Sequence, residues 1–489
     1  MIFSTSLFLL YFLPAFLIIY FMLALIPKSW PKNLFLLLVS MFYYAWGAPI
    51  FVFVIAGSVL ADFFLIKEVG RSEGGKRKAL FWVSVLLNLG LLIYFKYMNF
   101  FVAQFNDILS WFGSPPAEWT KIALPIGISF ITFQKLSYTF DVYKGRHAVV
   151  TRLQDYALYI FMFPQFLSGP IVRVGQIYDQ IRDRSAQENS NERLIGFYRF
   201  VIGLAKKVLI ADVLGVTVNE IFALNSLELS SGLAWVGAIA YTFQIYFDFS
   251  GYTDMAIGLA KMAGFRLPEN FNFPYISTSI TEFWKRWHMT LSFWLRDYLF
   301  LPIAYSTSRK WKKNSYLGIK TDKLLYIYAA AITFLICGFW HGAAWTFIFW
   351  GGYMAFFLII DRLFLMKWMK KAGRIPAIIL TFFFLVVGWV IFRSESLDFA
   401  YFYVRRMFLF VDMPNEIWLN SKFWTILIIA VCFSFWGVWK RIEQWSEKLF
   451  TTPKSLTVIL MTVAAILLFI LSEATITSSG FSPFIYFRF

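Results

Sequence analysis

The stretch Ile336–Trp350 reads ICGFWHGAAWTFIFW and sets one imidazole, His341, among apolar and aromatic neighbours. The nearest charged residues are Lys323 and Asp361, so the 37 residues between them carry no Asp, Glu, Lys or Arg. A bilayer crossing takes about 20 apolar residues, and this run predicts a return pair of short or broken helices at membrane depth. An ionisable group there is costly unless it faces a bundle interior or a wet cavity, which makes it a functional candidate. The competing reading is that His341 hydrogen-bonds a neighbouring helix and packs between tryptophans.

The rest of the chain has the same character. Of 489 residues, 59% are hydrophobic, 21% aromatic and 15% charged, which excludes a water-soluble core and predicts an all-α polytopic membrane protein. The 45 Lys and Arg against 28 Asp and Glu leave +17. These basic residues are dispersed between apolar spans, so they point to cytoplasmic loops and anionic lipid or substrate, not to nucleic acid. The first apolar run, Leu7 to Ile26, has no charged region before it and no small-residue cleavage site after it, and reads as a retained helix. Cys337 and Cys432 lie in apolar runs with neither disulfide nor metal-ligand spacing; no metal or resident cofactor is expected. Cys337 lies one helical turn before His341, and reads as a packing residue rather than a nucleophile.

Read in order, the apolar runs give about 11–13 crossings. The basic stretches Lys28–Lys32 and Lys67–Lys78 place those loops in the cytoplasm and both termini outside. Ile122–Phe140, with Pro125, Gly127, Gln134 and Lys135, suits an inner helix. Tyr156–Ile171, broken by Pro164, Gly169 and Pro170, suits a re-entrant segment. Arg173–Arg193 reads as a polar soluble connection, and His147 as a solvated loop residue. Leu194–Leu214 crosses with Lys206 and Lys207, which need Asp212 or the interface. Asp248 and Asp254 flank Gly251 in YFDFSGYTDM, as a polar site or as caps and partners for arginines. Thr281–Pro302 puts Trp284, Trp287, His288, Leu291 and Leu295 on one helical face, which predicts an amphipathic helix in the cytoplasmic interface. The spacing Gly338-x-x-x-Gly342 predicts close helix packing.

No phosphate loop, H-E-x-x-H, G-x-S-x-G or Cys-x-x-Cys is present. His288 and His341 instead occupy aromatic, water-poor settings, where a neutral imidazole can take a proton from a hydroxyl. Acyl transfer from a thioester suits that chemistry, with Lys285, Arg286 and the Arg309–Lys313 tract drawing a phosphate-bearing donor from the cytoplasm. A transporter or flippase of a polyanionic lipid or polymer precursor is the alternative; it needs the basic residues but not the imidazole.

Seven motifs in order carry a family resemblance: PIGISF (Pro125–Phe130), SYTFDVYKG (Ser137–Gly145), FPQFLSGPIVR (Phe163–Arg173), YFDFSGYTDMAIG (Tyr246–Gly258), ENFNFPY (Glu269–Tyr275), ITEFWKRWHMTLSFWLRDYLF (Ile280–Phe300) and WHGAAWTFIFWG (Trp340–Gly351). Together they resemble the membrane-bound O-acyltransferases, within which the chain is most similar to the bacterial branch of the alginate O-acetyltransferase membrane subunit and the teichoic acid D-alanyl transferase. The resemblance implies a single membrane-embedded acyltransferase domain over 1–489, a ring of helices with a central funnel and tunnel, and residence in a bacterial cytoplasmic membrane. It also implies a cytoplasmic acyl thioester donor such as acetyl-CoA, an extracytoplasmic polysaccharide or cell-wall polymer as acceptor, and an extracytoplasmic SGNH-type esterase-like partner.

By the same resemblance His341 matches the essential histidine and His288 a second one at the funnel floor. Substrate- and donor-binding candidates are Trp284, Lys285, Arg286, Trp287, Asp297, Asp248 and Trp340. After LRDYL the alginate enzymes carry a Gly-Asn-Arg-rich segment, whereas here Ile303–Lys313 reads IAYSTSRKWKK. The tail 481–489, FSPFIYFRF, is similar to the aromatic C-terminal motif of a small peptide that partners the D-alanyl transferase. This implies that Tyr486 accepts the acyl group, with His341 as base, and hands it on. Otherwise the tail is an interfacial aromatic anchor.

Overall fold

The computed structural model describes residues 2–166, 169–316, 318–413, 417–441, 444, 448, 455–480 and 483–485. These are largely helical, and the strands among them are the two-residue pair Ser315–Tyr316 and Ile319–Lys320, antiparallel with Ser315 opposite Lys320. Six described helices are long and apolar enough to cross a membrane: Gly74–Trp111, Thr321–His341, Trp345–Ala372, Arg374–Arg393, Ser421–Val438 and Ser455–Ser478; Leu7–Leu23 is shorter. On Ser455–Ser478, Leu456, Ile459, Leu460, Val463, Ile466, Leu467 and Ile470 are all exposed, an apolar face of the kind that marks a membrane or protein contact. The protein is a multi-pass membrane protein.

The chain forms two compact units, 1–197 with 256–268, and 198–255 with 269–489. The first holds two buried polar networks. Asp62, fully buried in the helix Phe51–Arg71, accepts from Ser84 (2.5 Å), Asn88 (3.1 Å) and Tyr156 (2.9 Å), with Lys135 at 4.0 Å. Gln134 and Lys135 are buried as an inner helix requires, although the helix starts only at Ile128, after Gly127 at φ 76°. A β-carbon on Gly127 would lie 2.7 Å from the Phe166 carbonyl oxygen.

Two expectations are corrected in this unit. Arg173–Arg193 is not simply a solvated connection: Val174–Arg182 is helical and Arg184 is 1% exposed. Its guanidinium donates to Tyr20 (2.8 Å), Asn33 (2.7 Å) and the Ala263 carbonyl (3.2 Å) and pairs with Glu188, which also binds Lys32 at 2.5 Å. Lys32 is therefore buried as a structural partner rather than displayed on a basic loop. The basic stretch Lys67–Lys78 is helical except at Ser72 and Glu73, its charges lying on the ends of two helices.

The second unit contains the return pair expected around His341. Thr321–His341 and Trp345–Ile360 pack as a hairpin joined at Gly342–Ala344. Their approach is set by Gly338 and Gly351: a β-carbon on Gly338 would meet the Phe347 carbonyl oxygen at 2.2 Å, and one on Gly351 the Phe334 carbonyl oxygen at 2.3 Å. The predicted partner of Gly338, Gly342, is not on that contact and instead leaves room for the Phe347 ring.

Thr281–Pro302 is corrected as well. A continuous amphipathic helix gives way to Ile280–Phe283, a turn, Met289–Leu295, and a wider-wound π-helical continuation over Arg296–Phe300. The break falls at His288, whose φ of 42° and ψ of 53° are left-handed. Charged residues of 198–222 and 231–255 pair within this unit. Lys207 lies 2.6 Å from both Asp212 and Asp248, and Asp254 binds Lys206 (2.6 Å) and Arg199 (2.8 Å). Of these only Lys207–Asp248 is buried on both sides, and removing one member of such a pair costs about 3–5 kcal/mol.

Gly351→Leu should force the hairpin apart, destabilising the protein by about 1–3 kcal/mol. Thermal unfolding in detergent checks this, and an unchanged Tm would contradict the close approach.

Candidate active site

His341 closes the Thr321–His341 helix and is 5% exposed. Its ring lies edge-on to Trp350 (5.2 Å between centroids) and Phe392 (5.4 Å), with Trp340 at 4.9 Å. Cys337, one turn earlier, is fully buried.

His288 is built differently. Asn270 Oδ1 accepts from the Thr290 amide (3.2 Å) and the Thr290 hydroxyl (2.8 Å), and faces His288 Nδ1 at 3.0 Å. A backbone amide can only donate, so the Asn270 atom is the oxygen and Nδ1 carries the proton. Nε2 then keeps its lone pair; it is buried and has no hydrogen-bond partner among the described residues. Burial pushes the imidazole down to about 3, so it stays neutral at any physiological pH. The left-handed backbone at His288 costs about 1–2 kcal/mol and is held by the Met289 amide donating to the Asn270 carbonyl at 2.9 Å. Glu269, the preceding residue, is gripped by Arg199 at 2.7 and 2.5 Å.

The two imidazoles belong to one chain of touching rings. His341 meets Trp350, Trp350 meets Trp389 (6.0 Å), Trp389 meets Trp287 (4.8 Å), Trp287 meets Phe249 (6.4 Å), and Phe249 meets His288 (4.7 Å). Trp284 joins through Trp350 at 6.0 Å. Of the other candidates, Lys285 is exposed, while Arg286 binds Glu282 (2.9 Å) and the Asn272 carbonyl (3.2 Å), bracing the loop that carries Asn270. Asp297 pairs with Arg296 at 2.7 Å.

Asp248 is 1% exposed and, besides Lys207, accepts from the Ile485 amide at 2.8 Å. Phe484 stacks on Tyr252 (4.9 Å) and touches Phe249 (5.7 Å). The start of the aromatic tail thus docks against the ring that contacts His288. Tyr486 lies outside the described residues.

Asn270 was missed by residue-type reasoning. The available signal was the pair of asparagines in ENFNFPY, polar residues among aromatics shortly before WKRWH. Chemically, the arrangement offers a fixed, neutral proton acceptor at His288, a second imidazole in an aromatic wall, and no cluster of three metal-ligating side chains among the described residues.

The profile of the membrane-bound O-acyltransferase family matches residues 146–397. Over the full length of both chains the sequence is 37% identical to a probable alginate O-acetylase of Azotobacter vinelandii. It is 34% identical to the peptidoglycan O-acetyltransferase of Helicobacter pylori, over 82% of this chain and 78% of that one. It is also 32% identical to the teichoic acid D-alanyltransferase of Bacillus subtilis, over 55% of this chain and 69% of that one.

Asn270→Leu should lower turnover roughly 10–100-fold by releasing the His288 tautomer. Asn270→Asp should keep the hydrogen bond and, by placing an anion beside the ring, bring a histidine ionisation into the pH–rate profile that the parent lacks between pH 5 and 8. Identical profiles for parent and Asn270→Asp would contradict the assignment.

Proposed function

The chain belongs to the membrane-bound O-acyltransferase family and is an O-acyltransferase, and from that premise we propose that it carries an acetyl group from a cytoplasmic thioester to an extracytoplasmic polysaccharide or cell-wall polymer. Family membership implies an acyl thioester donor; acetyl-CoA is the donor in this reading. The whole chain, 1–489, acts as one catalytic domain in a bacterial cytoplasmic membrane, with both termini outside and 11–13 crossings. The helices form a ring whose central funnel admits the donor, guided by Lys285 and Arg286. Trp284, Trp287, Trp340 and Asp297 shape its path, and Asp248 holds the tail.

In the first step His341 removes the phenolic proton of Tyr486 as that oxygen attacks the thioester carbonyl. The C–S bond breaks, and the imidazolium returns the proton to the leaving thiolate. His288, neutral and with Nε2 open, offers a hydrogen-bond acceptor on the donor side. The product is an aryl ester, whose phenolate leaves readily because its pKa is only about 10. A polymer hydroxyl, presented with the help of an SGNH-type partner, takes the acyl group in the second step.

The observation that carries this reading is the unbroken run of aromatic rings joining His341, His288 and Phe484, two residues before Tyr486. It supports the reading because both imidazoles and the docked root of the tail share one aromatic wall, and a water-poor setting protects a thioester from hydrolysis.

His341→Ala should lower acyl transfer from a labelled thioester by about 10²-fold or more in a protein that still folds; transfer at the parental rate would overturn the assignment. Tyr486→Phe keeps the ring and removes the hydroxyl, and should abolish both the acylated tail seen by intact mass and polymer acylation. Unchanged polymer acylation would reject the relay.

A further inference from the structure

Asp361 has no part in the reaction above, yet it is fully buried where the second arm of the hairpin passes into the turn Asp361–Leu365. Its neighbour Arg362 is engaged elsewhere, with its guanidinium 5.4 Å from the centre of the Tyr326 ring. The groups that meet the carboxyl come from one turn of chain: the Thr281 amide donates to Oδ2 at 3.0 Å, and the Ser279 and Thr281 hydroxyls lie against it. A buried carboxyl is costly unless such groups replace the water it has lost. A leucine of similar volume would fill the same space without that cost, so packing alone does not account for an acid here.

What the carboxyl holds is the start of the segment that leads to His288. Thr281 is the second residue of the helix Ile280–Phe283, and the first amides of a helix have no partner within it. Ser279 Oγ takes the Glu282 amide at 3.0 Å, and the Glu282 carboxylate accepts from the Thr278 amide (2.9 Å) and hydroxyl (2.7 Å). The Thr281 amide goes to Asp361, 80 residues further along the chain. From this turn the ties run on toward His288. Glu282 binds Arg286, Arg286 donates to the Asn272 carbonyl at 3.2 Å, and the Asn272 amide donates to the Arg286 carbonyl at 2.9 Å. Asn270, which fixes the His288 proton, stands two residues before Asn272. Against the hairpin, Trp284 lies 6.0 Å from Trp350 and 5.0 Å from Phe334. Apolar contacts of that kind hold two elements together without direction, whereas a hydrogen bond fixes their register.

We propose that Asp361 is a positioning residue that locks the His288 segment onto the hairpin of His341, and so sets how the two imidazoles stand toward each other. The proposal rests on the reading that both histidines serve one acyl transfer. Asp361 acts through Thr281 and not on the acyl group itself. What the lock needs is an acceptor oxygen rather than a charge, which an asparagine side chain supplies and a leucine side chain does not.

The test compares Asp361→Asn and Asp361→Leu in the detergent-solubilised full chain, by hydrogen exchange of the peptide covering 279–288 and by steady-state transfer from labelled acetyl-CoA. Asp361→Leu should speed exchange in that peptide about tenfold or more and leave the hairpin peptides at the parental rate. It should also lower kcat about 10–100-fold with KM for the donor little changed. Asp361→Asn should behave as the parent in both. If Asp361→Leu does not fold, Asp361→Ala, which removes the acceptor without adding bulk, carries the same expectations. Parental exchange over 279–288 in Asp361→Leu overturns the proposal, and so does faster exchange spread through the hairpin, which marks a general loss of packing. Asp361→Asn as slow as Asp361→Leu overturns it too, because the charge or proton of the acid would then be what matters. Exchange is read without turnover, so two failures stay apart. A loosened 279–288 peptide with parental kcat overturns the proposal and leaves His341 to its own assay. A His341→Ala variant that transfers at the parental rate overturns the function above and leaves the lock, as read by exchange, standing.

Discussion

Lys207, almost fully buried, sits 2.6 Å from Asp212 and 2.6 Å from Asp248. An ammonium ion taken out of water costs several kcal/mol, and two opposed carboxylates offset that cost only while the geometry holds. The arrangement leaves Asp248 one further oxygen, which the Ile485 amide fills at 2.8 Å. A single charge cluster thereby joins the 190–222 helical stretch, the Ser231–Met262 helix and the C-terminal tail. The same constraint explains Asp62 and Arg184 in the other unit: each fully buried ion is surrounded by groups that replace the water it has lost.

The two histidines meet the constraint by opposite means. His288 escapes it by remaining neutral, with a strained backbone and an asparagine fixing which nitrogen holds the proton. His341 has an ordinary helical setting at the tip of a hairpin and draws its environment from Trp340, Trp350 and Phe392. Strain and hydrogen bonding are concentrated at one ring, and aromatic enclosure at the other.

Much of this was legible in the sequence because long apolar runs report helices directly. The hairpin around His341, the inner character of the helix bearing Gln134 and Lys135, and the pairing of Lys207 with Asp212 all follow from cost arguments on single residues. The segment 281–302 misled because a helix-period pattern looks the same whether the helix is continuous or broken by one left-handed residue, and no glycine marks the break. Asn270 and Arg184 were not legible for a related reason: each acts through partners distant in the chain, and neither periodicity nor composition registers a contact of that kind. Tight packing by Gly338 was foreseen, but its true counterpart, Gly351, lies on the opposite arm of the hairpin, where spacing rules within one helix do not reach.

A tail fastened at Ile485 is tethered to the same polypeptide as the Asp248 carboxylate that holds it. Its local concentration is set by the length of its leash and not by how much of any other molecule the cell makes. Each copy of the protein therefore brings its own tail in fixed one-to-one proportion, and a rival peptide arriving from solution would have to outcompete a neighbour that never diffuses away.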